Sequence, residues 1–584
     1  MNDEHPITPD PNEATPAGPA VPGAEIVDVP PSDVVTTVAA TGPSRQRWVV
    51  AAVVAAVVLA ASALLAGLLA GRAIPEVLRY VSADALIVVE LRPELPGDQR
   101  AKVGELLSHF PGFKDQSTLD QKIDESLDLL VDRLSGGETD YTTEIKPYLA
   151  GPAVLAVLAP TTATDPDPRF VFVATTDGTT ECRLPHDIAT PVESYQGLEI
   201  LVPDDGMPAS CALDGRNAII GSLDDVKAAI DTKRRGGSIA DNASYRAAQA
   251  ELDGDHLSAV FVNARALIEQ ATAMSPEASA VATTAAIDEL PAWFAAQVRA
   301  EADALTLTGV ARLPDTFPAP PGPDHVSGLA ERIPGTAIAA FEAHDLGATI
   351  KAGLDQLAEN PDTAEVAQQL ESALATIGGI DGLTGWMGDL AVVATVDGET
   401  IGGGLLLEAN DETAAAATLA SIRNLIVLAG TGSQIHLDEV DHDGTTIYSL
   451  DLGDGASLFG MPTDAPIDAA GTPLVVAFAQ RDDLVIVGIS QAFVEAVLDT
   501  EDGGSLADNT RYQHAIERAG KTNGGQGYVD LAAILEYARA EMTSDAAANW
   551  DANIKPWISP FEGIAFSAIR DGDHTRGHVV ITVR

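Results

Sequence analysis

The chain has 584 residues, 86 acidic side chains against 34 basic ones, and a formal charge of −52. A surface this negative repels polyanions, which excludes a nucleic-acid binder. Two cysteines exclude a disulfide-dense miniprotein or a Cys-rich metal fold, while 46% hydrophobic residues suffice for a buried core.

Residues 1–44 hold nine prolines, seven acids and no Lys or Arg, and read as a disordered tail. From Trp48 to Gly71 no residue is charged, and the 24-residue run is almost entirely Ala, Val and Leu. As a helix it reaches about 36 Å, enough to cross a hydrocarbon core of about 30 Å. It exceeds the apolar region of a cleavable signal and follows a long tail, so it reads as an uncleaved signal-anchor. Arg45 and Arg47 flank one side, Arg72 and Arg79 the other, so basic residues do not set the orientation. The short tail is read as cytoplasmic and the bulk as an ectodomain outside the cell membrane, where oxidising conditions suit the cysteines.

The remaining chain carries an internal repeat. Gly236-Gly237-Ser238-Ile239-Ala240-Asp241-Asn242-Ala243-Ser244-Tyr245 matches Gly503-Gly504-Ser505-Leu506-Ala507-Asp508-Asn509-Thr510-Arg511-Tyr512 at seven of ten positions. The same offset of 267 relates Ile219-Ile220-Gly221 to Ile486-Val487-Gly488. Ala85–Glu90 also parallels Ala337–Glu342. The expected organisation is repeat one over 81–313, a Pro-rich linker over 314–332 and repeat two over 333–584.

Each repeat reads as α+β. An apolar strand opens it (Leu86–Leu91; Ala337–Phe341). A helix follows, with Ile123, Leu127, Leu130 and Leu134 on one face in the first copy and Val366, Leu370, Leu374 and Ile377 in the second. Thr118 with Gln121 suggests a capping box, and Gly136-Gly137 a stop. Short strands come next: Ala153–Leu158, Phe170–Ala174, Leu198–Val202 and Ala218–Gly221, then Leu390–Val396, Gly403–Glu408, Thr446–Leu450 and Leu474–Phe478. Gln196-Gly197 and Asp443-Gly444 predict hairpin turns. Short turns between successive strands predict a mainly antiparallel sheet with helices packed on it. In the duplicated segment, Gly236-Gly237 and Gly503-Gly504 are expected to end a helix in left-handed geometry. Asp241 or Asn242, and Asp508 or Asn509, are expected to cap the next helix, with Tyr245 and Tyr512 packing inward.

The opening Ser82-Ala83-Asp84-Ala85 and Glu90-Leu91-Arg92-Pro93, then Pro147-Tyr148-Leu149-Ala150-Gly151, the Tyr195-Gln196-Gly197 turn and the Gly-Gly-Ser segments occur in an order that resembles an uncharacterised bacterial family. It is the domain of unknown function 3352, frequent in actinobacteria. The resemblance covers most of 81–570 and implies a membrane-anchored ectodomain. It carries no activity, cofactor or catalytic residue.

Cys182 and Cys211, 29 positions apart, are expected to form a disulfide. The best metal-like cluster is His436, Asp438 and His442, which share one strand face; a solvated hairpin is the plainer account. There is no G-x-S-x-G, H-E-x-x-H or complete phosphate loop. No cofactor or catalytic residue is nominated. The reading is a single-pass envelope protein with a non-enzymatic binding or scaffold ectodomain, whose partners are the membrane and an envelope protein or lipid. The alternatives are a carrier or sensor of a lipid or small apolar ligand, and a cryptic hydrolase built on the His436–Asp443 stretch.

Overall fold

The computed structural model describes residues 75–584, apart from 138, 161–168, 183–191, 203–208, 275–290, 315–321, 360–362, 376–377, 398–399, 431–435, 452–474 and 501–503. The expected tail and the 48–71 span lie outside the described residues. Among the described residues no helix is long and apolar enough to cross a membrane.

The fold is α+β. Its strands, in chain order, are β1 (Ile87–Leu91), β2 (Ala153–Leu158), β3 (Arg169–Thr175), β4 (Val192–Tyr195), β5 (Leu198–Leu201), β6 (Ser210–Asp214), β7 (Asn217–Gly221), β8 (Ser258–Val262), β9 (Phe294–Ala300) and β10 (Ala304–Arg312). They continue as β11 (Ala337–Ala343), β12 (Met387–Asp397), β13 (Thr400–Ala409), β14 (His436–His442), β15 (Thr445–Asp451), β16 (Val475–Arg481), β17 (Leu484–Gly488), β18 (Gly525–Val529), β19 (Phe561–Asp571) and β20 (His574–Val583).

All twenty belong to one sheet. Antiparallel pairings set the spatial order β4-β5-β6-β7-β3-β2-β1-β8-β9-β10 in the first half. The second half runs β20-β19-β18-β11-β12-β13-β17-β16-β15-β14. β10 pairs with β20 along its whole length, from Ala304↔Thr582 to Arg312↔His574, and joins the halves. Outward from that junction, both halves place their strands in the same order.

The two large cores lie on one face of the sheet, while smaller clusters around Val103, Leu257 and Ala300 and around Trp386, Ala415 and Val485 cover parts of the other. In the first half, Val88, Val154, Ala156, Val171 and Val173 pack with Val226 and Ile230 of helix Leu223–Arg235 and with Tyr245 of helix Ala243–Glu251. In the second half, Ala340, Ala391, Val393 and Leu406 pack with Phe493 and Val494 of helix Gln491–Leu498 and with Tyr512 of helix Thr510–Ala519. Alternation along each strand sends every second residue to the other face.

Turn chemistry fixes the registers. Gln196 and Gly197 (φ 51° and 84°) close β4–β5, and Asp443 and Gly444 (φ 48° and 81°) close β14–β15. Two positive φ values in succession are what a two-residue hairpin turn needs to match strand twist. Gly136 (φ 69°) ends helix Leu119–Ser135 as expected. The expected capping box there does not form. Thr118 makes no side-chain cap, and Gln121 turns to Glu125, because Asp115 already caps the preceding turn through Ser117. In the second half the helix is Ala364–Leu374, but Val366 is 61% exposed and Leu370 39%, so these two are not core, and Ile377 lies outside the described residues.

Candidate functional site

The two Gly-Gly-Ser segments place two tyrosines. Gly236 closes helix Leu223–Arg235 with φ 83° and ψ −176°, an extended mirror-region geometry rather than the expected left-handed helical one. Gly237 and Gly504 also have positive φ (85° and 89°); Gly503 lies outside the described residues. Asn242, not Asp241, caps helix Ala243–Glu251 by accepting from Tyr245 N at 3.0 Å. Asp241 accepts instead from Ser238 Oγ and Arg246. Asn509 caps helix Thr510–Ala519, and Asp508 forms a capping box with Ser505 one turn earlier.

Each tyrosine then points at a buried polar cluster. Tyr245 donates to Glu90 Oε2 at 3.3 Å. Tyr512 accepts from Gln526 Nε2 at 3.2 Å, and the same amide reaches Glu342 Oε1 at 3.1 Å. Glu90 and Glu342 hold matching places: each lies next to last in its strand, between two paired neighbours, and faces the core.

Their environments differ. Around Glu90 stand the Arg92 guanidinium, bonded to Oε1, and His256 Nε2 at 3.6 Å, which is beyond hydrogen-bond reach. Burial opposes the charged form, yet His256 and the Arg92 guanidinium outweigh it and hold the Glu90 carboxyl down at about 2. Glu94, four residues on, is pushed up to about 7 by burial, with Arg92 3.9 Å away pulling the other way. Glu342 is raised by burial, against hydrogen bonds from Ser327 and Gln526 that pull it down.

Beside Glu342 the chain assembles a group that lacks any sequence spacing signature. His325 Nε2 lies 2.8 Å from Asp389 Oδ2, and its ring stacks on His344 with centroids 4.4 Å apart. One ligand atom from each of the three lies within 4.8 Å of the others. His344 and Asp389 are buried, 6% and 5% exposed. The Asp389 hydrogen bond raises the pKa of His325. The sequence reading missed this group because its members lie 19 and 45 positions apart. The one available signal was the acid ending an otherwise apolar strand, seen in Ala85–Glu90 and Ala337–Glu342.

The nominated trio does not converge. β14 is extended, so His442 stands about 13 Å from Asp438 and about 20 Å from His436 along the strand. No single ion spans that. His442 Nε2 instead contacts Asp499 Oδ1 at 2.7 Å, near Asp443, on an exposed hairpin corner, and this contact raises its pKa. Cys182 and Cys211 are disulfide-bonded, with Cα atoms 5.9 Å apart, tying the segment after β3 to β6.

The opposite sheet face carries a cross-strand apolar row. Leu405, Val392, Phe341, Gly527, Phe566, Val579 and Leu307 face one another in register across seven adjacent strands, from β13 to β10. The six large residues are 36–45% exposed. Gly527 permits the row: a Cβ there would come within 2.1 Å of the Phe566 ring, which lies 5.7 Å from that of Phe341. The row spans about 29 Å at about 4.8 Å per strand.

The family described as "Protein of unknown function (DUF3352)" matches residues 48–583. The chain belongs to this family. No curated protein matches it. Among solved structures, crystal forms I, III and IV of TP0453 are similar at 7%, 8% and 6% identity with TM-scores of 0.22, 0.22 and 0.19. They cover 43%, 43% and 40% of this chain and 83%, 84% and 79% of their own. At these scores the likeness carries no argument.

Proposed function

We propose that this family member is a non-enzymatic, membrane-anchored envelope protein that binds a partner protein across the open face of its sheet. The carrying observation is the row Leu405–Val392–Phe341–Phe566–Val579–Leu307, a continuous uncharged ridge on a chain of charge −52. Contiguous exposed apolar surface marks interaction sites. Two copies of so acidic a chain repel, so the occupant is another protein, with an apolar strip bordered by Lys and Arg.

The apolar segment 48–71 supports anchoring in the cell membrane, with the tail cytoplasmic and the sheet outside. We also read the two halves as duplicates. Their matched strand orders, the Gly-Gly-Ser segments and the paired caps at Asn242 and Asn509 support this.

A photoreactive phenylalanine at position 341 of the full-length chain, illuminated in native membranes, should form one defined protein adduct. Val392→Asp, in register beside it, should remove the adduct, and added salt should weaken it. No adduct, or one indifferent to Val392→Asp, overturns the reading. An adduct of lipid mass selects the carrier alternative instead.

A further inference from the structure

Three facts about the His325, His344 and Asp389 group belong together. The first is tautomer. His344 Nδ1 contacts the Asn523 carbonyl oxygen at 2.8 Å, and His325 Nδ1 contacts the Pro323 carbonyl oxygen at 3.2 Å. A carbonyl only accepts, so each ring donates from Nδ1 and turns Nε2 toward Asp389's side of the group; His344 Nε2 is left as a lone pair, while His325 Nε2 donates to Asp389 Oδ2 a proton that an incoming ion would displace. Metal-ligating histidines are oriented in this way, by giving their other N–H to a backbone carbonyl. His344 Nε2 is buried and has no hydrogen-bond partner. A buried acceptor left unpaired is costly unless something fills its place.

The second is aim. Asp389 sits at a register shift of β12 against β13, between Met387 and Leu390. Such a bulge re-aims a side chain out of the regular alternation. Its Oδ1 is held by Asp345 N at 3.1 Å, leaving Oδ2 directed to the histidines.

The third is charge. Glu90 on β1 has Arg92 two residues later; Glu342 on β11 has His344 at the same place. Among the described residues neither Glu342 nor Asp389 pairs with a Lys or Arg, although both are buried. The second half therefore lacks, beside its glutamate, the guanidinium that the first half has.

We propose that His325 Nε2, His344 Nε2 and Asp389 Oδ2 bind one divalent transition-metal ion of the zinc class. Two imidazoles with one carboxylate suit zinc and its neighbours, whereas magnesium and calcium take all-oxygen sites. Ligand atoms on one tetrahedral ion stand about 3.4 Å apart, so side-chain adjustment from the present spacing suffices. The ion would pin the segment around His325 to β11 and β12 and supply positive charge there.

The test uses the full-length chain, stripped with chelator and titrated with zinc over excess magnesium, which occupies the acidic surface. Elemental analysis should find one retained zinc per chain, and cobalt in its place should give a visible absorption band. His344→Ala should remove the retained zinc. His325 is half-buried and outside the hydrophobic clusters, so His325→Asn should weaken binding at least about tenfold with an unchanged circular dichroism spectrum. His442→Asn should retain full binding. Absence of a tight equivalent overturns the proposal. So does an equivalent that survives His325→Asn unchanged, or one that His442→Asn abolishes.

Discussion

The two halves of the sheet bury a glutamate at the same place and treat it in opposite ways. In the first half Glu90 is an anion held by Arg92, with His256 nearby and the Tyr245 hydroxyl donating. In the second half Glu342 sits among Gln526, Tyr512 and Asn523, linked by amide hydrogen bonds, with its Oε2 unpartnered. The backbone geometry that positions each glutamate is shared, so two side chains decide the difference: Arg92 against His344, and His256 against Asn523. The neighbours of a buried acid thus set the direction in which its pKa moves, and the fold alone does not.

Removing the cation tests this most severely. Arg92→Met leaves the Glu90 carboxylate without its bonded partner, and breaking one side of a buried pair typically costs about 3–5 kcal/mol. Glu342→Gln should change stability by no more than about 1 kcal/mol, since an amide keeps the Gln526 bond and no ion pair with Lys or Arg is broken. Urea unfolding of both variants, with chelator present, measures the contrast. Equal costs would mean that the Glu90 ion pair does not distinguish the halves.

The pH dependence of the first half sharpens the same point. Glu94 has its folded pKa raised to about 7 from an ordinary 4.5, so between those values the folded state binds more protons than the unfolded. Its contribution is fully present below about pH 4.5 and is lost as pH rises through about 7. Glu90 has the opposite sign: its contribution is present above about pH 4.5 and is lost as pH falls toward about 2. Arg92, Glu90 and His256 are the charged groups acting on Glu94. Glu94→Gln should therefore remove a fall in stability between pH 4.5 and 7, followed by thermal unfolding, while leaving the acid limb below 4.5 in place. An unchanged slope would put that dependence on other groups.

These clusters also mark where reading the sequence stops. Strands were legible because their apolar runs are short and end in turn residues: Ala153–Leu158 has the predicted bounds, and Gln196-Gly197 and Asp443-Gly444 turn as predicted. The order of strands in the sheet was not legible. β1 lies between β2 and β8, a pairing set by contacts some 65 to 170 residues away in the chain. The polar cluster fails for the same reason. His325, His344 and Asp389 come from three segments, and the pairing of β11 with β12, the bulge in β12 and the bridge from His325 to Asn523 bring them together. The nominated His436, Asp438 and His442 made the opposite error, since closeness in sequence on an extended strand separates side chains instead of gathering them.

The smallest expected effect concerns the two Gly-Gly-Ser segments. Asn242 and Asn509 cap matching helices, but their amide groups differ: Asn242 Nδ2 donates to the Ala83 carbonyl at 2.8 Å, while Asn509 Nδ2 reaches Asp530 Oδ2 at 3.4 Å. If the segment serves chiefly to start a helix, Asn242→Ala and Asn509→Ala should each cost about 1 kcal/mol, the usual worth of an N-cap. The shorter Asn242 contact ties the helix start to the entry of β1, so its loss should be the larger by a few tenths of a kcal/mol. Denaturant midpoints at constant slope would resolve that. A much larger loss at Asn509 would place the weight on the buried Arg511–Asp530 pair beside it, where Arg511 Nη2 and Asp530 Oδ2 are 2.7 Å apart. The first half has Ser244 and Asn263 at the corresponding positions and so lacks that pair. The shared motif would then be supporting a local ion pair in one half and a plain helix start in the other.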